Sequence, residues 1–413
     1  MVWHLSHTEV VSSVNKVLLT IALAAILYAL LFDFMRWVHF DIPSFIGAAR
    51  YLVGEDGGFD YQSRLTKPFV LLLPAWGEYY LGIHPINTFL FQNLLCLFGA
   101  AWFLYKSLEL FFQQVKFNSE TIQTRFAIIR LNTNAQDLAY IGLIAYLGCQ
   151  CVAIFSLTVL SDMPGWLTGN LGIYLTFKLL WGKELKSIWI VGLGAYLGLA
   201  IFTKENAVIA LITLAVFTLG SSTLSWANKF KIAFLSFIGF SIVIASTFMW
   251  SEYYFGDSIW QRAVEVQHQQ GFVFYNGSNI LQVWHILDQY WSLIPLFFIA
   301  GFWKQTTSKG LFINLLIVVL ITLILFPIAY PFIVERLLFL VAPLLLPFVV
   351  ISALFFERYT LPIVMVGGAL NLIAARLMYL GYAHTIPVAA LIYVLVLLTT
   401  FFLLNKQHYA QPR

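Results

Sequence analysis

Two short stretches of the chain share one pattern. "HFDIPSF" carries Asp41 and "LSDMPGW" carries Asp162, each followed by an apolar residue, a proline and, two places on, an aromatic residue. A carboxylate at a membrane surface can take a proton from an attacking hydroxyl, or it can ligate a divalent cation such as Mg or Mn. The same spacing suits a helix cap with proline in the first turn. Both readings stand for both aspartates. Around Asp41 lie His39, Tyr61, Arg64 and Lys67, side chains able to bind a polar or anionic substrate.

Three further groups could do chemistry. "FTKENAV" sets Lys204 and Glu205 between two short apolar runs. Charge at membrane depth must face a cavity or a partner, so Lys204 is either a point-charge ligand for phosphate or half of a self-contained pair with Glu205. "PFIVERLLF" places Glu335 and Arg336 at the start of an apolar run. Arg336 offers the planar fork that matches phosphate oxygens, or it snorkels to lipid headgroups. "EYYFGDSIWQRAVEVQHQQGFVFYNGSN" holds Arg262 and His268 among aromatic residues that can stack on a sugar or form an interfacial belt.

The elements that must hold these residues are membrane helices. Of 413 residues, 61% are hydrophobic and 10% charged, against about 25% charged in soluble domains. Apolar runs near the bilayer length of about 20 residues recur at 17–35, 87–110, 139–157, 164–181, 188–202, 206–220, 231–250, 284–303, 310–329, 337–355, 360–379 and 386–404. The expected fold is an all-α polytopic membrane protein of about twelve transmembrane helices in a single domain. The pair at 188–220 is open to a second reading as one broken helix. The opening segment is too polar for a cleaved signal peptide, so the first span is expected to remain as an anchor. Cys96, Cys149 and Cys151 lie inside apolar runs and read as small buried hydrophobes.

With both termini inside, most Lys and Arg fall on the inner side and most acids on the outer side, as the positive-inside rule requires. Asp41 and Asp162 then share the outer face. The first external loop, 36–86, contains apolar pieces too short to span and is expected to form interfacial helices. The second is 251–283. The net charge of +4 is a matter of membrane topology, and nucleic acid is not an expected partner. No Walker loop, HExxH or GxSxG occurs.

In their order along the chain, these features resemble the GT-C superfamily of membrane glycosyltransferases. The resemblance rests on an acid after the first span, a Tyr and Lys-Pro region, "LSDMPGWLTGNLGIYL", "GLAIFTKENAVIALI" and a late "ER" before an apolar helix. It implies transfer of a sugar from a polyisoprenyl-phosphate donor to a lipid, glycan or protein acceptor, without nucleotide, on the periplasmic or lumenal face of what would be a bacterial inner membrane. Asp41 would be the catalytic base, or a metal ligand in metal-using members, and Asp162 the second acid. Lys204 and Arg336 would hold the donor phosphate. "DIP" stands where relatives carry a double acid. A lipid-linked polysaccharide polymerase or ligase, and a transporter or flippase, are the competing functions.

Overall fold

The computed structural model describes residues 7–32, 41–58, 61–116, 134–182, 184–255, 308–329, 341–380 and 385–410, with a few positions between them. All regular structure among the described residues is helical. In chain order the helices are α1 (His7–Leu31), α2 (Ile42–Leu52), α3 (Pro68–Leu81), α4 (Pro85–Gln114), α5 (Ala135–Leu147), α6 (Gln150–Phe155) and α7 (Asp162–Leu180). They continue as α8 (Ser187–Thr203), α9 (Val208–Gly220), α10 (Trp226–Phe255), α11 (Lys309–Ala329), α12 (Ala342–Ala353), α13 (Thr360–Tyr379) and α14 (Thr385–Ala410).

Among the described residues, five helices are long and apolar enough to cross a membrane on length and composition alone, and shorter apolar helices pack beside them. The chain is a polytopic membrane protein. Its outward sides are apolar: Leu19, Leu23, Ile26 and Leu30 on α1, and Phe230, Phe234 and Phe237 on α10, are exposed. A helix apolar all round belongs in lipid. The expected span at 284–303 lies outside the described residues.

Lipid is as apolar as leucine, so close backbone contact has to hold such helices together. The tightest contact joins α8 and α10. A Cβ on Gly194 would meet the Ser236 carbonyl oxygen at 1.9 Å, and one on Gly239 would meet that of Val191 at 2.1 Å. The expected span 139–157 is not one helix. It breaks at Gly148 between α5 and α6, where a Cβ would meet Gly368 Cα on α13 at 2.5 Å. Residues 188–220 form two helices, because Lys204 is extended (φ −158, ψ 131) and a 3-10 turn, Glu205–Ala207, follows it.

The described residues of the first expected external loop form short helices. Proline opens each: Pro43 lies in the first turn of α2, and Pro68 begins α3. Gly82, at φ 62, closes α3, with the Ile83 N–H donating to the Gly77 carbonyl at 3.1 Å. One side of α3 (Val70, Leu71, Ala75) joins Phe45, Ala48, Leu65, Phe89, Val159 and Leu160 in a second core, apart from the main one. Its other side exposes Phe69, Leu72, Trp76 and Tyr80, the composition of a helix lying at an interface. This small layer covers one end of the bundle, over the segment that leads into Asp162.

Candidate functional site

The segment between α6 and α7 has no regular structure, and side chains of α4 hold it in place. Asn93, fully buried, donates from Nδ2 to the Thr158 carbonyl and, at 3.2 Å, to that of Leu160. One residue earlier, Gln92 donates to the Val70 carbonyl of α3 at 3.2 Å. Neighbouring amides of α4 thereby fasten both the Asp162 segment and the covering layer. Neither amide stood out among the charged candidates, although a polar pair inside the apolar run "FLFQNLLC" was a visible signal.

Arg50 of α2 joins Glu78 of α3 at 3.2 Å within the covering layer, and three further ion pairs gather beneath it. Asp41 precedes α2 and pairs through Oδ1 with Arg64 Nη2, from the 3-10 turn Tyr61–Arg64; both side chains are largely buried. Lys67, at the N-terminus of α3, lies 3.1 Å from Glu205 Oε1; the lysine is buried and the glutamate side chain is 38% exposed. Lys204 Nζ lies 3.5 Å from Asp162 Oδ1 and donates to Ser161 Oγ at 3.2 Å, deep in the protein. These groups feel one another: Lys204 and Arg64 both act electrostatically on Lys67, and Lys204 also acts on Glu205. Residues far apart in sequence thus form one site of alternating charge.

Lys67 and Glu205 lie in turns outside the spanning helices, and the site shifts both. Burial pulls Lys67 down to about 8; Lys204 and Arg64 push the same way, while Glu205 opposes them. Burial alone would raise the Glu205 carboxyl, but Lys67 and Lys204 outweigh it and hold it at about 2. Lys67 therefore changes charge within reach of neutral pH, and Glu205 stays ionised.

Several expectations change here. Asp41 occupies the cap position of α2 without capping it, since its side chain makes no cap hydrogen bond. Asp162 is the first residue of α7, and its carboxylate faces Lys204. Lys204 and Glu205 do not pair with each other. The extended backbone at Lys204 sends consecutive side chains to opposite partners. Tyr61 is half-buried with its ring on Tyr51, centroids 4.6 Å apart, beside Arg64. His268 is exposed. His39, Arg262, Glu335 and Arg336 lie outside the described residues.

The described residues do not offer a site for a divalent cation. Among the described residues no group of three or more His, Cys, Asp or Glu converges. Asp41 and Asp162, which could have held Mg or Mn, are each matched to a side-chain cation instead.

No family model and no curated protein matches the sequence. In three dimensions the chain is similar to ArnT from Cupriavidus metallidurans, whose crystal structure was determined bound to undecaprenyl phosphate. The TM-score is 0.52 at 12% identity, over 92% of this chain and 75% of that one. A likeness at this identity is one of architecture. The chain shares the fold of that protein.

Proposed function

We propose that the protein is a membrane glycosyltransferase that moves a sugar from a polyisoprenyl-phosphate donor to an acceptor hydroxyl. The observation that carries the proposal is the row of three ion pairs, Asp41–Arg64, Lys67–Glu205 and Lys204–Asp162, gathered under α2 and α3. The fold shared with a protein crystallised with undecaprenyl phosphate supports it. The site would open on the periplasmic side of a bacterial inner membrane, with both termini on the cytoplasmic side.

The row sorts into roles by burial. Lys204 is committed to a fully buried aspartate, so it supplies field and rigidity rather than direct contact with the lipid. Lys67 faces Glu205, the one partly exposed acidic side chain of the row, and is the first contact for an incoming phosphate in this reading. The Nε of Arg64 has no hydrogen-bond partner among the described residues and adds a second donor. Lys67 and Arg64 therefore hold the donor phosphate in place of Lys204, while Arg336, outside the described residues, keeps the phosphate role that the family resemblance gave it.

Attack by the acceptor oxygen at the anomeric carbon forms the new glycosidic bond and breaks the bond from that carbon to the phosphate oxygen. The electron pair leaves with the phosphate, and the hydroxyl proton passes to Asp41. A single displacement inverts the anomeric configuration. Sugar, acceptor and the choice between a hexose and a pentose are set by groups that this row of charges does not include.

The test uses purified protein in lipid with a panel of radiolabelled polyisoprenyl-phosphate sugars. Release of polyisoprenyl phosphate with transfer or hydrolysis of one sugar is the expected result. Passage of an intact lipid or solute across the bilayer, with no donor consumed, would replace the enzyme by a transporter.

Donor binding should also depend on pH through Lys67. The cation is present below about 8 and is lost as pH rises through that value, while a phosphodiester keeps its charge throughout. Affinity is therefore expected to be flat near pH 6–7 and to fall toward about tenfold per unit well above pH 8. Direct titration of donor binding across that range checks it. An unchanged affinity at pH 9.5 would remove Lys67 from the phosphate site.

A further inference from the structure

The three pairs differ in one respect. Asp41 with Arg64 and Asp162 with Lys204 are largely buried on both sides, whereas the Glu205 side chain is 38% exposed, although its Oε2 is itself buried. It sits on a three-residue 3-10 turn between two helices, and its Oε2 has no hydrogen-bond partner among the described residues. Its ion pair with Lys67, at 3.1 Å, fills the place that a phosphate oxygen would need. A phosphate brought to the same ammonium stands close to the Glu205 carboxylate, and like charges at that distance repel.

We infer that Glu205 is a counter-ion that the donor phosphate displaces from Lys67, and that its return expels the spent polyisoprenyl phosphate. The inference rests on the reading above that Lys67 holds the donor phosphate. The chemistry of the lipid gives such a device a purpose. The donor is a phosphodiester with one negative charge. The product is a phosphomonoester, whose second ionisation near pH 6 gives it close to two charges at neutral pH. A site built only to attract phosphate would hold its product more tightly than its substrate. The three cations here are matched by three carboxylates, and a Glu205 that stays close by repels the double charge of the product about twice as strongly as the single charge of the donor.

The experiment compares wild type, Glu205→Gln and Glu205→Asp in mixed micelles, with undecaprenyl phosphate as product probe and the donor found by the panel as substrate. Glu205→Gln is expected to bind undecaprenyl phosphate about tenfold or more tightly, the scale of one partly screened charge interaction. Donor KM should fall less, kcat should fall, and a pre-steady-state burst should appear because release becomes limiting. Glu205→Asp, which keeps the charge, should restore kcat and weaken product binding again. General damage to the fold would instead weaken both ligands together. If Glu205→Gln binds the probe no more tightly than wild type and shows no burst, the counter-ion role is overturned. If Lys67→Met binds the probe as well as wild type does, the underlying phosphate assignment fails, and the two failures are told apart.

Discussion

Replacing Asp41 by Asn is expected to reduce kcat by about 10²–10⁴, the usual contribution of a positioned general base, while leaving donor binding nearly intact. Asn keeps an oxygen that can accept from Arg64, so the 3-10 turn that carries Arg64 stays in place. It cannot take a proton. Asp41 also makes no capping hydrogen bond to α2, so the loss of negative charge removes no helix cap. The checks are single-turnover transfer of a radiolabelled sugar and the melting temperature of the same sample. A folded variant with wild-type turnover would leave Asp41 with only the task of orienting Arg64, and the base would have to be sought elsewhere.

The largest expected effect on stability falls on Asp162. Removing one partner of a buried ion pair strands the other charge, at about 3–5 kcal/mol. Lys204 is 6% exposed, with Asp162 and the Ser161 hydroxyl as its contacts, and Asp162 is 0% exposed. Asp162→Ala should therefore lose about that much in chemical unfolding in micelles. The double variant Asp162→Leu/Lys204→Met should recover most of it, because an apolar pair of similar volume leaves no charge stranded. The double variant also separates roles. If it folds and still transfers sugar, Asp162 and Lys204 are scaffold. If it folds and is inactive, their field at Lys67 is part of the chemistry. A loss below about 1 kcal/mol in the single variant would mean that water reaches the pair.

Both predictions concern charges that the sequence displays and the fold pairs. Asp41, Asp162, Lys67, Lys204 and Glu205 stand out because each interrupts or borders an apolar run, where charge is costly and needs a reason. The membrane class and the position of most helices follow from the same run lengths, since a bilayer demands about 20 apolar residues whatever the packing. The helices α2 and α3 were legible for a related reason: apolar pieces too short to span, opened by Pro43 and Pro68, had to lie along the boundary.

Which charge meets which was not legible. Lys204 and Glu205 are neighbours in the chain and read as a natural pair, yet an extended backbone at Lys204 turns them to Asp162 and Lys67. Side chains at adjacent positions diverge on an extended backbone, so neighbours in sequence need not be partners in space. The break at Gly148 was hidden because it answers to Gly368 on a distant helix, a contact that no local period records. Asn93 was overlooked because an amide in an apolar run has no meaning until the two carbonyls it serves are placed beside it. Composition and run length determine that this chain lives in a membrane and which residues are too costly to be idle. Long-range packing decides that three of its cations and three of its carboxylates form one site, because ion pairing depends on distance in space and the chain brings those residues together only when it folds.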